Sequence, residues 1–215
     1  MRFKNREQAA HLLARRLSRD YKNQNPLVLA IPRGAIHMAE IIADVLGGEL
    51  DVVLVHKLGA PGQPELAIGA IDEAGHVFLS AYGLDIDEAY LETEKQAQLD
   101  ILRQRRAQYT PSRGAIDPQN RIVIVVDDGI ATGSTMTAAL RAIRRSQPKK
   151  LVAAVAVASP SAARAMAHEA DATFCLSVPA DFYAVGQFFE NFSQVSDQEV
   201  VAILRQKEPA ISAVN

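Results

Sequence analysis

The sequence predicts an α/β fold in which a mainly parallel sheet is covered by helices on both faces. Apolar stretches typical of buried strands occur at residues 26–31, 51–55, 122–126, 150–158 and 172–178. Helical patterns lie between most of them, at residues 6–21, 35–46, 136–145 and 161–169. Strands that alternate with helices in this way form parallel sheets with both faces buried. The length of 215 residues suits a single domain, residues 1–215, with a substantial core.

The helices have local causes in the sequence. The segment at residues 6–21 has apolar side chains near helical spacing. The helix at residues 35–46 ends at the glycine pair 47–48, because glycine readily takes the left-handed conformation that closes a helix. A long, highly charged helix is predicted at residues 87–109, and a linker with prolines near both ends follows at residues 111–118.

The segment between the second strand and the charged helix predicts smaller elements. Residues 58–65 are rich in glycine and proline and predict a loop. Two short strands are expected after it, at residues 67–71 and 76–79, joined by a turn at residues 73–75.

The composition limits the classes of function. Hydrophobic residues make up 48% and charged residues 22%, and the net charge of −2 gives no reason to expect nucleic acid or an anionic membrane as a partner. No apolar run is long enough to span a bilayer, and the first residues lack the apolar core of a signal peptide. The single cysteine, Cys175, is expected to be a buried core thiol, which fits a reducing, cytoplasmic location.

Residues 121–135, RIVIVVDDGIATGST, are the most informative segment. A buried strand leads to two adjacent carboxylates, Asp127 and Asp128, then to a loop of small residues and the start of a helix. Loop amides and a helix N-terminus attract phosphate, because unpaired N–H groups and the helix dipole coincide there. Two carboxylates at a strand end can accept hydrogen bonds from a sugar diol. Hydroxyl donors are available from Thr132, Ser134 and Thr135.

Other interpretations of this segment are less satisfactory. The P-loop motif requires a lysine and a different glycine spacing, and the dinucleotide motif GxGxxG is absent. An ordinary strand-to-helix turn with a serine cap would also produce such a loop. Two adjacent acids at the end of a buried strand are costly to retain without a role, which favours a ligand site.

VVDDGIATGST resembles the signature with which type I phosphoribosyltransferases bind 5-phosphoribosyl 1-pyrophosphate (PRPP). The resemblance implies that the two acids hold the 2′- and 3′-hydroxyls of the ribose and that the following loop cradles the 5-phosphate. The residues implied in PRPP binding by this signature are Asp127, Asp128, Gly129, Ala131, Thr132, Gly133, Ser134 and Thr135.

Two further segments predict contacts to the pyrophosphate. A strand that runs into Pro32-Arg33-Gly34 and then a helix forms a second anion loop beside a guanidinium. The resemblance implies that this loop holds pyrophosphate, often through a cis peptide, although Ala35 stands where a second glycine is common. A plain helix start is the alternative.

Lys57 follows a buried strand and can stabilise charge on a departing group. The resemblance implies that residues 56–79 form a flexible catalytic loop and hairpin, with Lys57, Arg33 and Asp128 as catalytic residues. An exposed surface lysine and a structural His56 are the alternatives.

Residues 178–215 are expected to form a hood and tail, because aromatic residues are concentrated there. The stretch VPADFYAVGQFFEN loosely resembles the base-covering hood of the hypoxanthine-guanine phosphoribosyltransferases. That resemblance implies base stacking by Phe182, Tyr183 and Val185, and an approach of Glu190 to magnesium-bound pyrophosphate. Equally, the aromatics could seal the core or a dimer interface.

The resemblance does not identify the acceptor. Purine enzymes carry an acid in the phosphate loop and a lysine on the next strand, whereas this chain has Ala131 and the stretch VAVASP at residues 155–160. The implied activity is transfer of the 5-phosphoribosyl group to a nitrogen acceptor, a nucleobase or related heterocycle, in nucleotide metabolism. The resemblance implies that Mg²⁺ binds together with PRPP and that the protein forms a homodimer.

Two other classes of function stay open. One is a PRPP-sensing regulator without turnover, whose basic stretches at residues 103–106 and 141–150 would contact nucleic acid. Such stretches are more often solvated helix faces. The other is a scaffold that dimerises through the aromatic tail and uses no ligand.

Overall fold

A computed structural model of the protein describes residues 1–80 and 83–207. The helices are α1 (Arg6–Tyr21), α2 (Ile36–Leu46), α3 (Glu88–Tyr109), α4 (Ser134–Arg145), α5 (Pro160–Glu169) and α6 (Asp197–Gln206). The strands are β1 (Leu27–Ala30), β2 (Glu49–Val52), β3 (Val55–Ala60), β4 (Gln63–Asp72), β5 (Val77–Leu79), β6 (Ile122–Ile130), β7 (Lys150–Ala158) and β8 (Ala172–Ser177). Within the described ranges, no helix combines the length and apolar character needed to cross a membrane.

The main sheet has five parallel strands in the order β2-β1-β6-β7-β8, which confirms the predicted fold class. The central strands β6 and β7 are almost continuous runs of buried apolar residues, as expected for strands covered on both faces. Two clusters of buried side chains lie on the two faces of this sheet. One includes α1 and α2, and the other includes α4 and α5.

The second sheet is antiparallel, in the order β3-β4-β5, and it corrects one prediction. The expected loop at residues 58–65 is mostly strand, because β3 continues to Ala60 and β4 begins at Gln63. Helix α3 stabilises this part of β3, since Tyr90 Oη donates to the Gly59 carbonyl (2.9 Å) and Glu94 accepts from the Gly59 amide (3.1 Å). The predicted strand pair at residues 67–71 and 76–79 is confirmed by the pairing of β4 with β5.

The C-terminal segment contains a helix that we did not predict from the sequence. Helix α6 begins with a capping box in which Ser196 and Glu199 each bond the other's backbone amide. Before it, the chain pairs with the N-terminus: the Phe3 amide donates to the Phe188 carbonyl (2.8 Å), and the Glu190 amide donates to the Phe3 carbonyl (2.8 Å). The N-terminal residues therefore anchor the segment that was expected to form a hood.

Cys175 is only half-buried, which corrects the prediction of a core thiol. It lies on β8, the edge strand of the main sheet, where only one side is paired. The Sγ atom donates to the Ser177 carbonyl (3.1 Å), and burial raises the pKa of the thiol.

A charged network joins the two sheets and α3. Asp51 on β2 is fully buried and accepts hydrogen bonds from Arg106 Nη1 and Arg113 Nη1, both at 2.9 Å. Arg106 also donates hydrogen bonds to both carboxylate oxygens of Glu73, at the β4–β5 turn, through Nε (2.7 Å) and Nη2 (2.6 Å). Because a buried carboxylate without a cation is strongly unfavourable, this network fixes the small sheet against the main one.

We predict that Arg106→Ala lowers the free energy of unfolding by about 3–5 kcal/mol, because it removes one partner of a buried ion pair. Urea denaturation measures this change. The control is Arg103→Ala on the same helix, whose side chain is 63% exposed; its effect should stay within about 0.5 kcal/mol. Equal effects of the two substitutions would show that the network does not hold the small sheet against the main one.

Candidate functional site

The acid pair lies at the carboxyl end of β6, the central strand of the sheet. Asp127 is partly buried and Asp128 is buried. Asp127 Oδ1 accepts a hydrogen bond from the Asp128 amide (2.8 Å), which fixes the first carboxylate. In open parallel sheets, ligands bind beyond the carboxyl ends of the strands, and the pair is in that position.

Burial and mutual repulsion determine the electrostatics of the pair. Burial raises the pKa of Asp127 well above its usual range, and the neighbouring charge of Asp128 adds to this. Burial also raises the pKa of Asp128, but its hydrogen bond from Arg6 opposes the rise. Asp128 is therefore the better supported anion of the two.

The predicted second anion loop lies directly beside the acid pair. The Ile31 amide donates to the Val126 carbonyl (2.9 Å), so the chain leaving β1 stays next to the end of β6. The Pro32–Arg33 peptide is cis, as the family resemblance implied. A Cβ atom on Gly34 would lie 2.4 Å from Asp128 Oδ2, so any larger residue here would have to displace the Asp128 carboxylate or the loop. The exposed Arg33 side chain donates to Asp197 of α6 (3.2 Å).

The loop between β6 and α4 presents an open helix N-terminus. Gly133 takes a left-handed conformation (φ 79°) before α4 and, as the N-cap residue, offers no side chain to the first amides of the helix. Thr132 Oγ1 makes only a long contact there, accepting from the Ser134 amide (3.4 Å). Thr132, Ser134 and Thr135 are exposed, and the hydroxyls of Thr132 and Ser134 lie 3.2 Å apart. An uncapped N-terminus with exposed hydroxyls is suited to an anion, and it differs from the serine-capped turn considered as an alternative.

One cavity of about 430 Å³ brings these three segments together. It is lined by Arg6, Ile31, Pro32, Arg33, Gly34, Asp127, Asp128, Gly129, Thr135, Gln194 and Val195. Lys57 lies in a neighbouring cavity of about 250 Å³, between β3, β4 and α4, which Ser134 and Thr135 also line. Thr135 therefore borders both cavities, and it connects the acid pair with the predicted catalytic lysine.

The residues predicted to stack on a base point in different directions. Phe182 is half-buried and packs against Phe188, with ring centroids 5.3 Å apart. Tyr183 is 88% exposed. Val185 lies against the acid strand, since a Cβ atom on Gly129 would be 2.6 Å from Val185 Cγ1.

Glu190, the predicted metal contact, is exposed. In the described part of the chain, the C-terminal residues that line the acid cavity are Gln194 and Val195 instead. Both were missed in the sequence, where they lie in a segment without a distinctive pattern.

Arg6 is the main site residue that sequence reasoning missed. Its Nε donates to Asp128 Oδ2 (2.8 Å) and its Nη1 to the Ser193 carbonyl (2.7 Å), while its guanidinium lies 3.8 Å from the centroid of the Phe192 ring. One sequence signal existed: Arg6 occupies the first turn of α1, where a positive charge is unfavourable to the helix dipole. A positive charge at this position therefore indicates that the side chain has a favourable partner elsewhere in the protein.

The basic stretches considered for nucleic acid are partly ion-paired within the described residues. Arg106 belongs to the buried network around Asp51. Arg141 pairs with Glu169 (2.6 Å), and Arg144 pairs with Asp171 (2.7 Å). Their charges are thus partly neutralised within the protein.

The fold and the cavity define an α/β protein whose sheet carries an acid pair between the Pro32–Gly34 loop and the start of α4. Residues 2–193 match the family model of the phosphoribosyl transferase domain, and the chain belongs to this family.

The relatives agree with this assignment. A Mycobacterium tuberculosis (strain H37Rv) protein, "Putative phosphoribosyl transferase Rv0571c", is 40% identical over 94% of this chain, and its counterpart in strain CDC 1551 is equally similar. The chain spans about half the length of these curated relatives (46%). The crystal structure of the protein TT1426 from Thermus thermophilus is 45% identical, with a TM-score of 0.86 over 96% of this chain and 99% of that one.

We predict that Gly34→Ala destabilises the protein by about 1–3 kcal/mol, because the new methyl group must displace the Asp128 carboxylate or the loop. The control is Gly114→Ala, where a Cβ atom would meet nothing within 4 Å. That change should be neutral or slightly stabilising. Urea denaturation of both variants compares them, and a neutral Gly34→Ala would mean that the loop is not tightly packed on the acid pair.

The raised pKa of Asp127 gives a pH dependence with a definite sign. The folded state retains the Asp127 proton to higher pH than the unfolded chain, where aspartate titrates with a pKa of about 3.9. The contribution of Asp127 to the free energy of unfolding therefore falls as pH rises from about 4 through the raised pKa. Asp127→Asn should remove this fall and be more stable than wild type at about pH 8, but not at about pH 3.

Denaturation curves across this pH range test the prediction. The exposed Asp100 on α3 provides the control, since Asp100→Asn should leave the wild-type profile unchanged. A parallel loss of stability at every pH for Asp127→Asn would contradict the electrostatic account.

Proposed function

We propose that the protein transfers the 5-phosphoribosyl group of PRPP to a nitrogen acceptor, a nucleobase or related heterocycle, and releases pyrophosphate. The observation that carries this proposal is the single cavity shared by the acid pair, the Pro32–Gly34 loop and Thr135 at the start of α4. These groups match the diol, the pyrophosphate and the 5-phosphate of one ligand. Membership of the phosphoribosyl transferase family supports the same proposal.

The reaction exchanges one bond at C1 of the ribose. The C1–O bond to pyrophosphate breaks and its electron pair leaves with the pyrophosphate, while a nitrogen lone pair of the acceptor forms the new C1–N bond. The acceptor then loses a proton to solvent or to a nearby base. Because positive charge builds on the sugar ring, Asp127 and Asp128 would stabilise it while they hold the diol.

The two anion loops would supply binding and orientation. Residues 129–135 would hold the 5-phosphate at the uncapped N-terminus of α4, and this binding energy would orient C1 for attack. Pro32, Arg33 and Gly34 would hold the pyrophosphate. Lys57 would approach from the neighbouring cavity and stabilise charge on the leaving group.

The residues of the cavity are compatible with Mg²⁺ that arrives with the ligand. Within residues 1–80 and 83–207, no group of three or more His, Cys, Asp or Glu side chains could cage a metal alone. Mg²⁺ retains waters and prefers phosphate oxygens, so it needs few protein ligands when it arrives on PRPP. When bound, the ion would neutralise charge on the departing pyrophosphate.

The acceptor would lie toward the C-terminal segment, opposite the pyrophosphate loop. Val185, next to Gly129, is the best placed of the predicted base contacts. Tyr183 and Phe182 would cover the base only if residues 178–192 close further over the cavity. Glu190 would need the same movement to approach the pyrophosphate.

A PRPP-sensing protein without turnover is the second candidate. It is favoured by Ala131, which leaves the phosphate loop without a carboxylate to handle the proton of an acceptor. We also propose a cytoplasmic homodimer, on the family resemblance alone; light scattering of the purified protein tests the dimer.

The deciding experiment measures pyrophosphate release from PRPP and Mg²⁺ with a panel of nucleobases and amines, together with PRPP binding by calorimetry. Release with one acceptor establishes the transferase and names its substrate. PRPP binding without release supports the sensor, and neither binding nor release rejects both candidates.

Asp128→Asn tests the assigned site. Loss of the diol acceptor should weaken PRPP binding by about tenfold to a hundredfold, since a hydrogen bond to a charged group is lost. Asp100→Asn on α3 is the control and should bind PRPP as wild type does. Unchanged binding and turnover in Asp128→Asn would refute the assignment.

A further inference from the structure

Arg6 connects three parts of the molecule that are distant in sequence. It begins α1, pairs with Asp128 at the end of β6, and contacts the C-terminal segment through the Ser193 carbonyl and the Phe192 ring. Its side chain is only 12% exposed. The guanidinium contacts an anion, a carbonyl and an aromatic face. It has little freedom to leave, because water would have to replace all three contacts together.

The contact with Asp128 leaves the carboxylate able to bind a ligand. Arg6 Nε donates to Oδ2, the oxygen that also faces Gly34. A carboxylate has two oxygens and about four lone-pair positions, so one hydrogen bond leaves acceptor capacity for a ligand hydroxyl. Arg6 therefore fixes the Asp128 carboxylate from one side and leaves lone pairs available for a ligand hydroxyl.

The charged groups around this pair explain why Asp128 needs support. Asp127 faces Asp128 from the same strand and repels its charge, and burial disfavours both anions. Arg33 lines the same cavity but donates a hydrogen bond to Asp197 of α6. On its other side, Arg6 borders a cavity of about 270 Å³ that also contains Glu7, His37, Glu40 and Glu199.

We infer that Arg6 is a positioning residue that holds the Asp128 carboxylate in the orientation that receives the diol of the ligand. This inference rests on the proposed function, because it assumes that Asp128 receives the ribose. It gives Arg6 the role of a permanent support. The opposite role, a blocking cation that PRPP must displace, predicts a change of the opposite sign in affinity.

The test measures the Kd of Mg²⁺–PRPP by calorimetry, which needs no acceptor. Arg6→Gln should weaken binding by about tenfold, because the Asp128 carboxylate is then no longer held toward the diol. In the Asp128→Asn background, Arg6→Gln should cost little further affinity, because the carboxylate that Arg6 holds is already gone.

Two further variants separate support from simple structural damage. Arg6→Lys retains the charge but not the forked geometry, so it should lose less affinity than Arg6→Gln but not bind as wild type does. Arg2→Gln is the matched control, since Arg2 donates to the Phe189 carbonyl of the same C-terminal segment (3.5 Å). It should leave the affinity unchanged. If Arg6→Gln does not fold, the same comparison of Arg6→Lys with and without Asp128→Asn decides.

Two results would overturn the inference. Tighter binding by Arg6→Gln would identify Arg6 as a blocking residue, and an equal loss of affinity with and without the Asp128 carboxylate would show a structural role only. Failure of the wild type to bind PRPP would instead reject the proposed function, so the two failures are distinguishable.

Discussion

The parallel pairing of β1 with β6 is the constraint on which the rest of the site depends. The register pairs Ala30, the last residue of β1, with Val126, four residues before the end of β6. The chain that leaves β1 at residues 32–34 therefore lies against residues 127–129 of β6, where a Cβ atom on Gly34 would be 2.4 Å from Asp128 Oδ2. The main geometry of the cavity is thus a property of backbone hydrogen bonds, which are less easily changed by substitution than side-chain contacts.

The negative charge of the acid pair is partly balanced by a residue that is distant in sequence. Two acids at the end of a buried strand repel each other and lose hydration, and Arg6 from the first helix offsets part of that cost. Arg6 is in turn fixed by the C-terminal segment at Phe192 and Ser193. The stability of the acid pair is therefore coupled to the way in which the two ends of the described chain meet.

The parts of the fold that could be predicted from the sequence are those with local causes. The strand at residues 122–126, the acid pair and the helix after it follow from residues that are close in sequence. The extension of β3 was not predictable in this way, because Tyr90 and Glu94 on α3 stabilise it from outside the segment. Helix α6 had a local signal, the Ser196–Glu199 capping box, which was overlooked.

The candidate site shows the same division. Asp127, Asp128 and the Pro32–Gly34 loop were predicted from motifs, and the structure brings them into one cavity. Arg6 was missed because its partner lies 122 residues away, and an ion pair at that separation leaves no periodic pattern. The direction of Phe182 and Tyr183 depends on packing against Phe188 and solvent, which no local pattern encodes.

The pairing of Phe3 with the Phe188–Glu190 segment has a consequence for how this family can diversify. The first six residues and residues 188–195 touch each other and the cavity, while the remainder of the cavity is built from β1, β6 and α4. A chimera that exchanges only one chain end between relatives would combine an N-terminal segment and a C-terminal segment from different proteins, whose mutual contacts would not match. Recombination is expected to preserve both ends as one inherited unit, and substitutions in one should be accompanied by substitutions in the other.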